Sequence, residues 1–171
     1  TWATEDIFPS DAAWSAEHET LKALPGQCAA FQGRLGRIAA DLLAYFKASD
    51  EAERRLMLLF NYASRKGDED MGNSFYQDMR SKAMSLAVAL ESATAFAVPE
   101  LLAIPDETLE RFFAEEPALA VYRRPIQKIR RMKAHILSPQ EEALLAAAGE
   151  ISSAPSSIAS SFRNADLRFP D

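Results

Sequence analysis

The chain has 171 residues, of which 48% are hydrophobic and 26% charged, enough apolar material for one folded domain with a buried core. Its formal net charge of -6 argues against a general nucleic-acid binder and against binding to an anionic membrane surface, because both usually need a basic surplus. The single cysteine, Cys28, cannot form an internal disulfide, so nothing indicates an oxidising compartment.

The two ends and the most apolar stretch bear on location. The first residues, TWATEDIF, are acidic where a signal peptide should be basic. The stretch 83–98 contains Ser85, Glu91 and Ser92 and falls short of the roughly 20 apolar residues that span a membrane. We therefore expect a cytoplasmic protein with no membrane partner. Because the chain starts at Thr1 and 165–171 does not resemble a finished tail, we also expect a piece of a longer polypeptide, although a processed start would equally explain Thr1.

Helical periodicity dominates from the first residues onward, and strand-like alternation is nearly absent. Pro9 and Ser10 predict the start of the first helix, with Ser10 or Asp11 as its N-cap. Pro25-Gly26 predicts its end. Three residues of this helix share one face: Trp14, His18 and Leu21.

Two more helices are predicted before the middle of the chain. An apolar stripe over 35–45 predicts one, and Ser49-Asp50 predicts the cap of a second that reaches about Arg65. The turn 66–73 follows. Asn73 then predicts the cap of the longest helix, of about 23 residues.

Prolines mark the helix starts of the C-terminal half: Pro105, Pro117, Pro139 and Pro155. The helix that begins at Pro117 is expected to run towards Lys133 with a kink at Pro125. The prediction is an all-α fold, in which an antiparallel multi-helix domain is built around one long helix, with short Pro-initiated helices in the C-terminal half.

Two patterns begin like metal sites and fall short. His18-Glu19 opens like a zinc-peptidase helix, but Lys22 stands where the second histidine is needed, at i+4. The acidic turn that starts at Asp68 lacks the glycine and the glutamate that a calcium loop requires. Cys28 has no flanking base and is expected to be inert. The chain therefore predicts no catalytic residue, no metal ligand and no cofactor of its own.

The strongly basic run 123–133 predicts an amphipathic helix. Three of its cations share one face: Arg124, Lys128 and Arg131. One interpretation is a solvated face whose charges pair with local acids such as Glu115 and Glu116. The other two are a contact surface for another domain and a nucleic-acid patch, which the acidic net charge disfavours.

Five segments, spread in order over essentially the whole chain, carry a resemblance to a known family. They are 2–14 (W with IFPS and AW), 62–70 (YAS with DED), 99–105 (PELLAIP), 122–146 (Tyr122, RMKAHILS, EE and LLA) and 165–170 (ADLRFP). In this order they resemble the N-terminal helical domain of oligoendopeptidase F, a zinc oligopeptidase of the thimet-like class.

The resemblance implies a domain layout and a role. Residues 1–9 would be an N-terminal arm, 10–165 the helical domain, and 166–171 the start of the connection to a catalytic lobe that is missing from this chain. The family's HExxH motif and third ligand match no position here, so zinc is expected in that lobe and this chain should be inactive alone. The domain would wall the substrate cleft and restrict access to short peptides.

The partners implied are the catalytic lobe of the same polypeptide and short peptides, with no nucleic acid. The candidate interlobe or peptide contacts are Arg124, Lys128, Arg131 and His135. For His135 a structural hydrogen bond is the favoured role.

Two alternatives stay open. The first is a free-standing helical protein–protein interaction module, which needs an exposed apolar patch of several hundred Å². The second is a weak nucleic-acid binder that works through the helix 123–133. A surface that normally contacts the catalytic lobe would be exposed in a fragment. Such a fragment is therefore expected to be able to form an artefactual dimer through that surface.

Overall fold

The computed structural model describes residues 2–70, 72–132 and 155. The chain divides by its internal contacts into residues 1–131 and 132–171, and the fold described below is that of the first unit. The described residues contain α-helices and short 3₁₀ turns and no β-strand, so the all-α prediction is confirmed. The predicted domain boundaries at residues 9 and 165 stay predictions.

Seven α-helices lie in the described part of the chain. They are α1 (Asp11–Leu21), α2 (Leu24–Ala29), α3 (Ala39–Glu69), α4 (Ser74–Thr94), α5 (Ala97–Ala103), α6 (Asp106–Glu115) and α7 (Arg123–Met132). Two 3₁₀ turns add to them, Thr4–Asp6 and Pro117–Tyr122. A short turn after Glu69 reverses the chain, so α4 returns along α3 as its antiparallel neighbour.

The central helix is α3, with 31 residues, and not the helix after Asn73, which has 21. The predicted break at Ser49-Asp50 is wrong, because α3 continues through it. Ala52 lies fully buried just beyond the expected break, and burial on both sides of this point holds the helix together. Helix propensity and cap preference are weak terms that tertiary packing overrides.

The local start signals fare better. Ser10 caps α1 by accepting a hydrogen bond from the Ala13 N–H, and Asn73 caps α4 by accepting one from the Phe75 N–H. Pro25-Gly26 does not end the first helix, which stops at Leu21. Pro25 lies instead in the first turn of α2, where its missing N–H is not needed.

In the C-terminal half Pro105 precedes α6 directly and Pro117 opens a 3₁₀ turn. The kink predicted at Pro125 is absent, because the chain changes from the 3₁₀ turn to α7 at Arg123 and Pro125 lies in the first turn of α7. Short Pro-initiated helices are therefore confirmed in the described part of the C-terminal half, with one boundary misplaced. The helices predicted at Pro139 and after Pro155 lie outside the described residues.

Two large hydrophobic clusters and one small one form the core of the described residues, and α3 contributes to all three. The first joins the N-terminal half of α3 to α5, α6 and α7, with Leu42 and Phe112 fully enclosed. The second joins the C-terminal half of α3 to α1 and α4 around Trp14, whose indole N–H donates to the Leu59 carbonyl at 2.9 Å. The small cluster joins Cys28 to Ala52 and Leu90, and burial raises the pKa of the Cys28 thiol, in line with an inert residue.

The helical stretch Ser74–Ala103 is long and apolar enough to cross a membrane, with a mean hydropathy of 1.5 in its most apolar window. Residues 83–98 alone are too short to span a membrane, but the helical stretch also includes the start of α4. The stretch consists of α4 and α5, separated at Ala95 and Phe96. Only 22% of that window is buried, although α4 does place Met79 and Ala83 in the second cluster, and one helix of this kind is weak evidence for a membrane span.

Truncation of Leu59 tests the role of α3. Leu59 is fully buried beside Trp14, so Leu59→Ala should lower the free energy of unfolding by about 2–5 kcal/mol through lost contacts and a residual cavity. Met57, on the same helix, is 60% exposed, so Met57→Ala should change it by about 0.5 kcal/mol or less. Urea denaturation followed by circular dichroism measures both. Equal effects would show that α3 is not anchored through this face.

Candidate functional site

The cationic side chains of α7 are of two kinds: some anchor the helix to the rest of the domain, and others are exposed to solvent. Arg130 is structural: its guanidinium donates to the backbone carbonyls of Leu101 at 2.9 Å and Ile104 at 2.7 Å and pairs with Asp106. Carbonyls at a helix end have no partner within the helix. Arg130 therefore satisfies the end of α5 and fixes α7 against it.

Arg123 anchors the other end of α7. It pairs with Glu110 at 2.8 Å, and its guanidinium lies 4.1 Å from the ring centroid of Phe113. Among the described residues, the acids that pair with α7 are thus Glu110 and Asp106 and not the expected Glu115 and Glu116. Glu115 lies 3.5 Å from Arg111 on its own helix.

The exposed cations form what we call the α7 basic face: Arg124, Lys128 and Arg131. Together with Pro125 they line one surface depression, as the sequence spacing predicted. Among residues 2–70 and 72–132, no acidic side chain forms an ion pair with them. Their role stays a prediction. His135 lies outside the described residues.

A groove of about 520 Å³ adjoins this face, with Pro125 shared between the two. We call it the α7 groove; it lies between α3, α5, α7 and the turn before α7. Its floor is apolar and aromatic, and the Phe46 ring stacks on the Tyr122 ring at 4.5 Å. The groove can therefore accept an apolar side chain next to a row of cations.

The opposite rim of the α7 groove is acidic. The Tyr122 hydroxyl donates a hydrogen bond of 2.6 Å to Asp50, and Glu53 follows one turn later on α3. That hydrogen bond, assisted by burial, raises the pKa of Tyr122 to about 12. Sequence reasoning missed this rim, because it assigned Asp50 to a helix cap and the two partners are 72 residues apart. The only sequence feature that pointed to this rim is that Tyr122 begins the segment 122–146, which resembles the family.

The described residues do not fit a zinc ion. No group of three or more His, Cys, Asp or Glu side chains comes together among them. His18 stacks flat on Trp14, and its Nδ1 lies 3.6 Å from Glu19, whose carboxylate also pairs with Lys22 at 2.6 Å. Because the Lys22 ammonium is paired with the Glu19 carboxylate, His18 and Glu19 do not form the start of a zinc-binding site.

Comparison with known proteins gives consistent relatives. A family model described as Oligopeptidase F matches residues 100–169. Oligopeptidase PepF of Bacillus subtilis (strain 168) is 41% identical over 170 residues, which are 99% of this chain and 25% of the relative. The plasmid-encoded oligoendopeptidase F of Lactococcus lactis subsp. cremoris is 36% identical over 171 residues, which are 99% of this chain and 28% of the relative.

Solved structures agree. The crystal structure of oligoendopeptidase-F from Enterococcus faecium superposes with a TM-score of 0.70 at 35% identity, over 94% of this chain and 31% of that one. A putative peptidase from Chlamydophila abortus superposes with a TM-score of 0.73 over 99% of this chain and 29% of that one; its 23% identity supports the fold alone. The chain thus spans between 25% and 28% of the length of the two curated relatives.

The acidic rim predicts an altered tyrosine titration. Because the pKa of Tyr122 in the folded state lies above its ordinary value near 10, the hydrogen bond to Asp50 contributes fully to stability below pH 10 and is lost as the pH rises towards 12. Asp50→Asn should lower the pKa of Tyr122 towards the ordinary value. The phenolate absorbance of each protein, minus that of its Tyr122→Phe version, measures this pKa.

The matched control is Glu53→Gln, which removes a neighbouring carboxylate of the same groove that is not the hydrogen-bond acceptor of Tyr122. It should leave the pKa of Tyr122 unchanged. An equal drop in both variants would mean that the general negative potential of α3, and not the hydrogen bond, raises this pKa.

Proposed function

The chain belongs to the oligoendopeptidase F family as an N-terminal domain, and from this premise we propose that it forms a non-catalytic wall of the substrate cleft in a longer zinc peptidase. The observation that carries the proposal is the match of 99% of the chain to a quarter of an oligopeptidase. We further propose that the whole enzyme is cytoplasmic and cleaves short peptides. The remaining polypeptide would hold the zinc, since the described residues of this chain do not fit it.

The α7 basic face is the proposed contact for peptide substrates. Arg123 and Arg130 already hold the helix in place, so Arg124, Lys128 and Arg131 can turn their charge towards a ligand. Exposed cations attract a peptide carboxylate or an acidic side chain, and screening by salt weakens that attraction.

The α7 groove would receive the apolar side chain next to that charge. Its stacked aromatic floor is preformed, because Phe46 and Tyr122 are held by α3 and by the Asp50 hydrogen bond. A rigid wall of this kind admits an extended peptide one side chain at a time. A folded protein presents no such extended segment, so the wall would restrict entry to short peptides.

The isolated 171-residue chain should hydrolyse no peptide, with or without added zinc, because it lacks a general base beside a metal site among its described residues. A fluorogenic peptide assay measures this, with an oligoendopeptidase F as the positive control. Chelator-sensitive cleavage by a preparation free of contaminating protease would overturn the assignment of a non-catalytic domain.

Charge reversal tests the peptide contact in the complete polypeptide that contains this chain. Arg124→Glu with Lys128→Glu should raise KM for acidic peptides about tenfold and leave kcat unchanged, since two exposed contacts are worth about 0.7 kcal/mol each. The effect should shrink at high ionic strength. Steady-state kinetics on an acidic peptide and a neutral one measure it.

The matched control reverses two other exposed cations, Arg37→Glu with Lys47→Glu, which give the same change of net charge and do not line the α7 groove. This double variant should leave KM unchanged. An equal rise of KM in both double variants would mean that the overall charge, and not the α7 basic face, attracts the substrate.

A further inference from the structure

Helix α4 has two faces with large apolar side chains, and the described residues pack against only one of them. Its inner face packs into the core, where Met79 and Ala83 are almost completely enclosed. On the opposite side two large side chains stay open to solvent, Met84 at 49% and Val88 at 58% exposure, while Phe75, one turn before Met79, is 48% exposed at the start of the helix. Only 22% of the most apolar window of Ser74–Ala103 is buried. The described residues leave much of this hydrophobic helix uncovered.

The spacing on the exposed side suits another helix. Gln77, Ser81, Met84 and Val88 follow one another at intervals of four, three and four residues, the interval pattern of a coiled-coil seam. They line one shallow depression of about 550 Å³ with Arg80 and Ser85 at its sides. The small serines lie between larger neighbours, so ridges of an incoming helix can enter. We call this surface the outer α4 face.

The polar residues on the outer α4 face argue against lipid as the occupant. Arg80, Ser81 and Ser85 lie on the same side as Met84 and Val88. A charged side chain is costly inside a bilayer, whereas the edge of a helix–helix interface accommodates one easily. The neighbouring Asp78 and Lys82 pair with each other at 2.6 Å, so Lys82 adds no excess of charge that would attract an anionic surface.

The length of related chains indicates where the occupant comes from. This chain spans 25% of the Bacillus subtilis relative and 31% of the Enterococcus faecium structure, so most of a related polypeptide lies outside it. An apolar helix face that is open in one domain is the type of surface that a neighbouring domain covers.

We propose that the outer α4 face docks an amphipathic α-helix from the part of the same polypeptide that lies outside this chain. The inference rests on the proposed function, in that it takes the chain to be one domain of a longer enzyme. It adds the surface that joins the two parts: Met84 and Val88 pack into the partner helix, and Arg80 borders the contact. The α7 basic face is left free for peptides.

Thiol labelling tests the proposal. Met84→Cys and Val88→Cys place reactive thiols on the outer α4 face, and the native Cys28 is buried, so the wild-type chain supplies the blank. Each variant is made both in the 171-residue chain and in the complete polypeptide from its gene. Labelling with a maleimide should be at least about tenfold slower in the complete polypeptide, because a docked helix must open before the reagent enters.

The matched control is Glu107→Cys, at an exposed position in the first turn of α6, which should react equally fast in both proteins. Equal rates at positions 84 and 88 in the two proteins would overturn the proposal. Protection of the two thiols that grows with the concentration of the 171-residue chain would also overturn it, because a second copy would then be the occupant. A reading frame that ends at Asp171 would overturn it as well. Because the readout needs no peptide cleavage, the docking surface and the peptide contact of the α7 basic face fail or stand separately.

Discussion

One helix must satisfy two hydrophobic clusters at once, and the rest of the domain depends on this constraint. The N-terminal half of α3 supplies Leu42 to the first cluster, and the C-terminal half supplies Leu59 to the second. At 1.5 Å per residue its 31 residues form a rod of roughly 46 Å. The indole hydrogen bond from Trp14 to the Leu59 carbonyl holds α1 against this rod. A break in the middle of α3 would separate the two clusters.

The candidate peptide-binding surface is a product of that packing. The rod places Phe46 and Asp50 opposite Tyr122, and the arginines at the two ends of α7 hold that helix against α5 and α6. Arg123 and Arg130 form ion pairs within the domain. The three exposed cations of α7 are therefore not needed to anchor the helix and face solvent. The proposed contact with peptides depends on this division, because a helix without internal anchors would move with its ligand.

The sequence predicted the parts of the fold that depend on neighbours in the chain. The caps at Ser10 and Asn73 were correct because each hydrogen bond closes within three residues. The break at Ser49-Asp50 was wrong because the burial that keeps α3 continuous there comes from residues remote in sequence. Helical spacing likewise predicted the α7 basic face but not the α7 groove, whose Asp50–Tyr122 contact spans 72 residues. The assignment to a peptidase family came from the resemblance of five segments and not from any catalytic motif.

The contacts of Arg130 between α5 and α7 show which side chains at this junction can be replaced. Arg130 binds main-chain oxygens at Leu101 and Ile104, and every amino acid offers the same oxygen at those places. The residues at 101 and 104 can therefore be substituted, within the size that the core allows, without loss of this contact. Position 130 has no such freedom, because a lysine lacks the planar fork that spans two carbonyls and a carboxylate. The contact therefore depends on the side chains of Arg130 and Asp106, whereas Leu101 and Ile104 contribute only main-chain oxygens to it and side chains to the core.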